Sequence, residues 1–269
     1  MADGPGRSGR PPTPPKPYVH PLRTPAGHCL TRVEPPDHRW HRGLWFTLKF
    51  VNGENFWEEE DPYGTQVHVD PNQVEWRRPT GEVVLREHRV LSHTRVDGDA
   101  YALDWSSVIT AAADAELDRT PFRGWGGYGG LTLRGRGDWR DTRLLLSGGV
   151  EQNERVLGTP ARWCDLSGAL DGGERAGVAV LDAPSNPRHP VPWYASTRSA
   201  VYGDDGWSNF LNAALLFDGP LSLRRDEELR LDYRVIVHDG IWAPARVDAA
   251  YEEWLRADAW SSRDPAPGR

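Results

Sequence analysis

The sequence predicts an all-β protein, a large antiparallel β-sandwich with one short C-terminal helix. Short stretches with strand-like alternation recur along the chain, and 28 Gly and 23 Pro interrupt them within 269 residues. Strands of this spacing, separated by turn residues, are typical of sandwiches and barrels. About a dozen strands are more than a small sandwich needs, so we expect two large sheets.

The individual elements follow from local patterns. Asn52–Gly53 and Asp97–Gly98 are dipeptides that favour tight hairpin turns between strands. The helix is predicted where apolar residues recur at three- and four-residue intervals. The predicted strands are 19–22, 28–33, 44–51, 65–69, 82–97, 101–111, 130–133, 142–146, 162–166, 177–181, 213–217 and 229–237, and the predicted helix is 247–258.

The chain shows no internal repeat, which predicts one domain over residues 17–258. Residues 1–16 are rich in Gly, Pro, Arg and Ser, lack the apolar core of a secretory signal, and are expected to form a disordered tail. Residues 259–269 are expected to form a second tail. No stretch approaches the roughly 18 apolar residues of a membrane span, so we expect a cytoplasmic protein with no membrane partner.

Composition narrows the classes of partner. The net charge of −7 argues against nucleic acid, which favours a basic face. Two Cys, at 29 and 164, do not make a disulfide framework. Thirteen Trp exceed what one core needs, so some are expected to line a cleft that takes a small polar ligand. The oligomeric state is left open.

Residues 37–57 contain the highest concentration of side chains that can take part in catalysis or binding. His38 and His41 can transfer protons or hold a metal, and Arg42 suits a carboxylate or sugar hydroxyls. Trp57 offers a flat apolar face. The alternatives are a solvated loop–strand junction with core Trp residues and, for Arg42, a salt bridge to Asp37.

Two further regions are expected to join this segment. His68 lies in a short predicted strand and is either a site residue or a structural one. The Gly-rich stretch 123–130 lacks the features of a phosphate loop, and its glycines favour close backbone approach to a ligand beside Trp125 and Tyr128. Arg134 follows on the next strand and is expected to point inward. A plain loop between strands is the alternative for 123–130.

The remaining candidates lie later in the chain. Alternation places Asp165 beside Trp163 on one face of a strand and Cys164 on the other, and Asp165 is a candidate acid or base. The Pro-rich stretch 186–190 predicts a rigid loop that presents Asn186 and His189 to a cleft. His238 ends a strand, where a turn role and a site role are equally open.

Ordered motifs along residues 17–255 carry a resemblance. They are 17–18, 21–25, 27, 37–38, 41–43, 51–53, 56–57, 128–131, 162–163, 165, 167–168, 184, 186–190 and 237–240. Their order resembles an uncharacterised bacterial family labelled methane oxygenase PmoA. That family usually has a further His just before the position of His41, where this chain has Trp40, and this departure weakens a three-His metal site.

The resemblance implies a fold and a site. Members look like the β-supersandwich of galactose mutarotases and carbohydrate-active enzymes, and they tend to accompany sugar-catabolic genes. Methane oxidation is not implied, because the methane monooxygenase subunit is an integral membrane protein and this chain has no membrane segment. Fold alone does not give function.

Three functional hypotheses follow. The first is a carbohydrate-processing enzyme, a hydrolase, lyase or epimerase acting on a sugar or oxidised sugar by His acid–base chemistry, with no cofactor and no metal. The second is a non-catalytic carbohydrate-binding module, and the third is a copper-dependent oxidoreductase. The expected catalytic residues are His38, His41, His68 and Arg134, and the expected substrate-binding residues are Arg42, Trp57, Trp125, Tyr128, Asp165, Asn186 and His189.

Overall fold

The computed structural model describes residues 14–121, 126–152, 155–198 and 208–261. These residues form nineteen β-strands and one α-helix, which confirms the predicted all-β class. The elements are β1 (Tyr18–Val19), β2 (Leu44–Thr47), β3 (Phe50–Val51), β4 (Glu54–Asn55), β5 (Thr65–Asp70), β6 (Gln73–Arg77), β7 (Val83–Asp97), β8 (Ala100–Ala111), β9 (Ala115–Asp118), β10 (Gly130–Arg134), β11 (Arg140–Leu146), β12 (Val150–Gln152), β13 (Arg155–Pro160), β14 (Trp163–Ala169), β15 (Arg175–Asp182), β16 (Pro192–Ser196), β17 (Phe210–Ala213), β18 (Leu221–Leu223), β19 (Glu228–Asp239) and α1 (Pro244–Ser261).

The described strands form three antiparallel sheets. A six-stranded sheet has the order β1-β2-β10-β17-β16-β13, and a nine-stranded sheet has the order β12-β11-β14-β15-β19-β8-β7-β6-β5. A small sheet, β18-β9-β3-β4, completes the set. Half of the neighbouring strand pairs are not consecutive in sequence, so cross-strand pairing brings distant parts of the chain together.

The main core lies between the two large sheets. Leu44 and Leu133 from the six-stranded sheet and Trp105 and Leu231 from the nine-stranded sheet belong to the same buried apolar cluster. Successive side chains on a strand point to opposite faces. Each large sheet therefore has one face in this core and its other face outside it.

The second face of the nine-stranded sheet packs against the helix. Trp163 and Ile236 share a buried cluster with Tyr251 and Trp254 of α1. The indole Nε1 of Trp163 donates a hydrogen bond to Asp248 at 2.8 Å. The predicted helix is confirmed, although α1 begins and ends three residues beyond the expected bounds of 247–258.

The predicted hairpins are also present. Asn52 and Gly53 have φ values of 51° and 77°, and they join β3 to β4. Both residues need positive φ in such a turn, which Asn and Gly tolerate. The long pair β7 and β8 confirms the other predicted hairpin.

Two predicted strands are wrong, and the predicted strand 44–51 is divided between β2 and β3, which belong to different sheets. Residues 28–33 form only isolated bridges, because Cys29, Thr31 and Val33 each pair with a different segment. Residues 214–217 form a turn, and the strand occupies β17 just before it. The stretch 214–217 is apolar, whereas 28–33 mixes Cys29, Leu30 and Val33 with polar residues. A loop that packs its apolar side chains inward can have the same composition as a short strand.

The proposed tails need two corrections. Residues 1–13 and 262–269 lie outside the described residues, but Lys16 is buried and bonded rather than part of a disordered tail. At the other end, α1 extends to Ser261. In the ranges that the structure describes, no helix is long and apolar enough to cross a membrane.

We expect Gly130→Ala to reduce the free energy of unfolding by about 3 kcal/mol, because it combines backbone strain with a clash. Gly130 begins β10 with φ of +132°, and an added Cβ would lie 2.1 Å from the carbonyl oxygen of Ala213 on β17. Urea unfolding of the purified variant measures the loss.

Gly81→Ala is the matched control. Gly81 also has positive φ, at +90°, but an added Cβ would meet nothing within 4 Å. Only backbone strain remains, so the loss should be about 1 kcal/mol. Equal losses in the two variants would contradict the close approach of β10 and β17.

Candidate functional site

A cavity of about 710 Å³ opens on the outer face of the six-stranded sheet. Alternation explains its position. On β10, Leu131 and Leu133 enter the core while Arg134 lines the cavity, and on β17 Leu211 enters the core while Phe210 lines the cavity. The volume falls in the range of small-molecule sites, roughly 300–1,000 Å³.

Strand register places four cavity residues in one row across the sheet. Arg134 on β10 pairs with Phe210 on β17, which in turn pairs with Ser196 on β16. Ser196 pairs with Arg155 on β13, and all four line the cavity. Neighbouring strands lie about 4.8 Å apart, so the row measures roughly 14 Å between the two end Cα atoms.

One ion pair positions both imidazoles at the Arg134 end. Arg134 Nη2 donates to the two carboxylate oxygens of Asp37 at 3.0 and 2.8 Å. The same carboxylate lies 2.7 Å from Nδ1 of His38. Arg134 Nη1 donates to Nδ1 of His41 at 3.3 Å. The two ring orientations therefore depend on the pairing of Asp37 with Arg134.

These contacts fix the protonation states. Burial opposes ionisation of Asp37, but the hydrogen bond from His38 and the charge of Arg134 outweigh it and lower the pKa of Asp37 to about 2. An ionised carboxylate only accepts hydrogen bonds, so Nδ1 of His38 carries a proton. Burial, followed by the charge of Arg134 and by repulsion from His38 when that ring is protonated, lowers the pKa of His41 well below its usual value. A guanidinium only donates, so the proton of neutral His41 is on Nε2.

Stacked rings account for the burial of His41. Its ring lies 4.6 Å from that of His38 at an interplanar angle of 15°, and 5.3 Å from that of Phe210. Trp45 and Trp57 complete the surroundings at 5.2 and 6.2 Å. Only 4% of His41 is exposed, which is why protonation of its ring is unfavourable.

A second polar group forms the opposite wall. Lys49 forms an ion pair with Glu58, and the hydroxyl of Tyr128 donates to Glu58 at 3.3 Å. Burial and the charge of Glu58 raise the pKa of Tyr128, so its hydroxyl keeps its proton. Trp57 packs on Tyr128 at 4.7 Å. Asn55 fixes this loop by accepting from the backbone N–H groups of Trp57 and Glu58.

Lys16 supports the wall from behind. Its Nζ donates to the carbonyl oxygens of Trp57 and Trp40 and lies 3.3 Å from Glu59. Burial lowers the pKa of Lys16 to about 8, against the opposing effect of Glu59. Because one ammonium group holds two segments that each present a Trp to the cavity, Lys16 fixes the spacing of the aromatic walls.

Five of the residues predicted from the sequence line this cavity. They are His38, His41, Trp57, Tyr128 and Arg134. Their chemical roles stay predictions. Trp125, expected on the same wall, lies outside the described residues.

Two other candidates lie away from the cavity. His68 is exposed on β5, at the edge of the nine-stranded sheet, and does not join His38 and His41. The expected common cleft is therefore wrong for His68. Arg42 is buried behind the wall and pairs with Glu34 and Glu59, so the alternative salt bridge to Asp37 is also wrong.

The later candidates belong to separate buried networks. Asp165 accepts from Ser167 at 2.8 Å and lies 3.0 Å from Nε2 of His238, on the side of the nine-stranded sheet that faces α1. Asn186 and His189 both bond to Asp182 and brace the loop after β15. None of these residues lines the cavity.

Sequence reasoning missed several cavity residues. Lys49 lies within the segment 37–57 and Glu58 directly follows it, while Arg155, Tyr194 and Phe210 lie on strands that were not predicted or were misplaced. Alternation of Tyr194 and Ser196 with apolar neighbours in β16 was the available signal. The stretch is only five residues long and begins at Pro192, and both features made the strand hard to predict from the sequence.

The donor set does not fit a metal centre. Among the residues that the structure describes, no group of three or more His, Cys, Asp or Glu side chains is placed to hold an ion. At the histidine pair, Arg134 donates to Nδ1 of His41 and adds a positive charge there. A cation at that position would be repelled, which argues against the copper oxidoreductase hypothesis.

The pKa shift of His41 predicts a pH dependence of stability. Its folded pKa lies below the unfolded value of 6.5, so the unfolded chain binds more protons and stability falls as the pH falls below 6.5. We expect the wild type to lose about 1 kcal/mol more than His41→Gln between pH 7 and pH 5.5, as measured by urea unfolding.

His68→Gln is the control for this comparison. His68 is exposed and lies away from the cavity, so its variant should follow the wild-type profile. Parallel profiles for the wild type and His41→Gln would show that His41 is not held neutral by its surroundings.

The comparisons with known proteins give one match. Residues 6–252 match the model of a family described as a family of unknown function, DUF6807. No curated protein and no solved structure matches the chain. Since the family match spans residues 6–252 of 269, well over half of the sequence, the chain belongs to the family DUF6807.

Proposed function

We propose that the chain is an acid–base enzyme that acts on a sugar or an oxidised sugar, as a hydrolase, lyase or epimerase. One observation carries this proposal. His38 and His41 stack at 4.6 Å on the wall of one cavity, and their partners Asp37 and Arg134 fix them in opposite tautomers. Such a pair places a proton-accepting nitrogen of His38 beside a hydrogen-bond-donating N–H of neutral His41.

The roles follow from the ring nitrogens. Nδ1 of His38 donates to Asp37, so Nε2 is the atom that accepts a proton from a substrate. Nδ1 of His41 accepts from Arg134, so Nε2–H is the donor. When His38 takes up a proton, the ionised Asp37 stabilises the resulting imidazolium. Arg134 opposes protonation of His41, which keeps the two roles distinct.

The walls suit a polyhydroxylated ligand. Trp40, Trp57 and Tyr128 present rings to the cavity, and flat rings pack on the apolar faces of sugars. The indole Nε1 of Trp40 is buried and has no hydrogen-bond partner within the described residues. Such a donor costs free energy unless a ligand oxygen accepts from it.

Carboxylates play a smaller part than in a two-acid glycosidase. Glu58 is engaged by Lys49 and Tyr128, and Glu60 is exposed. This arrangement favours proton transfer by histidine over a scheme with two catalytic carboxylates. The order of motifs resembles the family labelled methane oxygenase PmoA, whose members look like galactose mutarotase-like sandwiches. By analogy, this resemblance supports a function on carbohydrates.

We expect His38→Gln to lower turnover at least about 100-fold, the usual contribution of a general base. The test is ¹H NMR in D₂O on a panel of aldoses, uronic acids and short glycosides, which reveals deuterium incorporation, epimerisation, elimination and hydrolysis. His38 is partly exposed, so the variant should keep the wild-type melting temperature.

His68→Gln is again the matched control and should retain full turnover. Activity retained in His38→Gln on a substrate of the wild type would reject the assigned base. If panel members bind but their NMR spectra show no chemical conversion, the result would instead favour the non-catalytic carbohydrate-binding module.

A further inference from the structure

The two imidazoles present the same edge to the cavity. Asp37 and Arg134 pair with each other, and each of them contacts the Nδ1 atom of one ring. The rings stack at 4.6 Å with an interplanar angle of 15°. Because both Nδ1 atoms face one ion pair, both Nε2 atoms lie on the side away from it. His38 and His41 line the cavity, so a ligand meets this edge.

At this edge His41 is a hydrogen-bond donor and not an acid. Burial and the charge of Arg134 lower the pKa of His41, so its ring is neutral near pH 7. The remaining proton is on Nε2, since Nδ1 accepts from Arg134. A neutral imidazole of this kind polarises a carbonyl group. It does not supply the proton that a glycosidase acid gives to a leaving oxygen.

We propose that Nε2–H of His41 is an oxyanion site for a carbonyl oxygen, and that the substrate is a sugar with an aldehyde or ketone group from which His38 removes the hydrogen on the adjacent carbon. This inference rests on the proposed function. It narrows the reaction to those that begin with proton removal beside a carbonyl, which are epimerisation and elimination.

Proton removal produces an enolate. The carbon–hydrogen bond breaks and its proton binds Nε2 of His38, while its electron pair forms a carbon–carbon double bond and the carbonyl π electrons move to oxygen. The negative oxygen accepts from Nε2–H of His41. Return of the proton from His38 to carbon restores the carbonyl compound, and its transfer to a hydroxyl on the next carbon expels water.

The surroundings of the pair suit this step. A carbonyl oxygen and a hydrogen on the adjacent carbon are close enough in one molecule to meet two rings 4.6 Å apart. Arg134 donates to the far side of His41, where its charge polarises the imidazole and strengthens Nε2–H as a donor. The rings of Trp45 and Phe210 pack on His41 at 5.2 and 5.3 Å. A site shielded from water in this way strengthens a hydrogen bond to a developing negative charge.

Hydrogen exchange tests the step. ¹H NMR in D₂O is recorded on D-galactose, D-glucuronate and D-erythrulose, with methyl β-D-galactopyranoside as the partner whose carbonyl is blocked. We expect deuterium to replace the hydrogen beside the carbonyl in at least one free sugar, because His38 exchanges its proton with solvent before returning it. The methyl glycoside should stay unchanged.

His41→Phe keeps a ring in the stack but has no N–H. We expect its kcat for exchange to fall at least about 100-fold, the usual contribution of one oxyanion donor. KM should change little, because the donor acts on charge that develops in the transition state. His41→Gln, whose amide still donates, should keep more activity than His41→Phe. His68→Phe changes an exposed histidine away from the cavity and should keep wild-type exchange.

A substrate analogue tests the oxyanion site without turnover. D-Threonohydroxamate resembles an enediolate, whereas D-threonamide, the amide of the same acid, does not. Quenching of tryptophan fluorescence should show that the wild type binds the hydroxamate at least about 100-fold more tightly, the lower end for transition-state analogues. This difference should disappear in His41→Phe.

Equal or undetectable binding of the two analogues to the wild type overturns the oxyanion site, and this comparison decides the matter even if His41→Phe does not fold. Exchange at the wild-type rate in a folded His41→Phe variant also overturns it.

The two proposals fail in different ways. Hydrolysis of methyl β-D-galactopyranoside that is lost in His38→Gln, without exchange in the free sugars, rejects the oxyanion site and leaves the enzyme. A preference for the hydroxamate without conversion of any sugar leaves the oxyanion site and rejects the enzyme.

Discussion

The buried pairing of Arg134 with Asp37 is the interaction on which the site depends. It joins the end of β10 to the loop that precedes β2, two segments 97 residues apart in sequence. Each partner has 2% of its side chain exposed, so removing either would take from the other its charged partner in a region shielded from water. The same two groups set the tautomers of His38 and His41, which couples the stability of this junction to the chemistry of the cavity.

The two faces of the six-stranded sheet have different roles, because successive side chains on each strand point to opposite faces. One face completes the core against the nine-stranded sheet, and the other forms the cavity floor. Residues on both faces are buried, so β2, β10 and β17 lack the contrast between apolar and polar positions that marks a half-exposed strand. Polar residues such as Thr132 and Asn212 bond to each other across β10 and β17, which satisfies them on the buried floor.

This arrangement explains what the sequence could predict. The hairpin at Asn52–Gly53, the helix α1 and the cluster at 37–57 depend on residues that are close in sequence, and their patterns are local. The row from Arg134 to Arg155 depends on register between β10, β17, β16 and β13, which no local pattern encodes. Lys16 was missed for a related reason, since a Pro-rich stretch gives no sign that one lysine inside it will be buried.

Residue type alone did not distinguish catalytic candidates from structural ones. His238 is fully buried, and its ring nitrogens face Asp165 and the carbonyl oxygen of Asp239. Glu87 and Arg89 form an equally polar pair that is closed off between the sheets. In networks of this kind the polar side chains bond to one another and stabilise the fold. The histidine pair differs because each ring has one nitrogen fixed by a charged partner while the side chain borders a cavity of ligand size, and that combination is what proton transfer to a bound molecule requires.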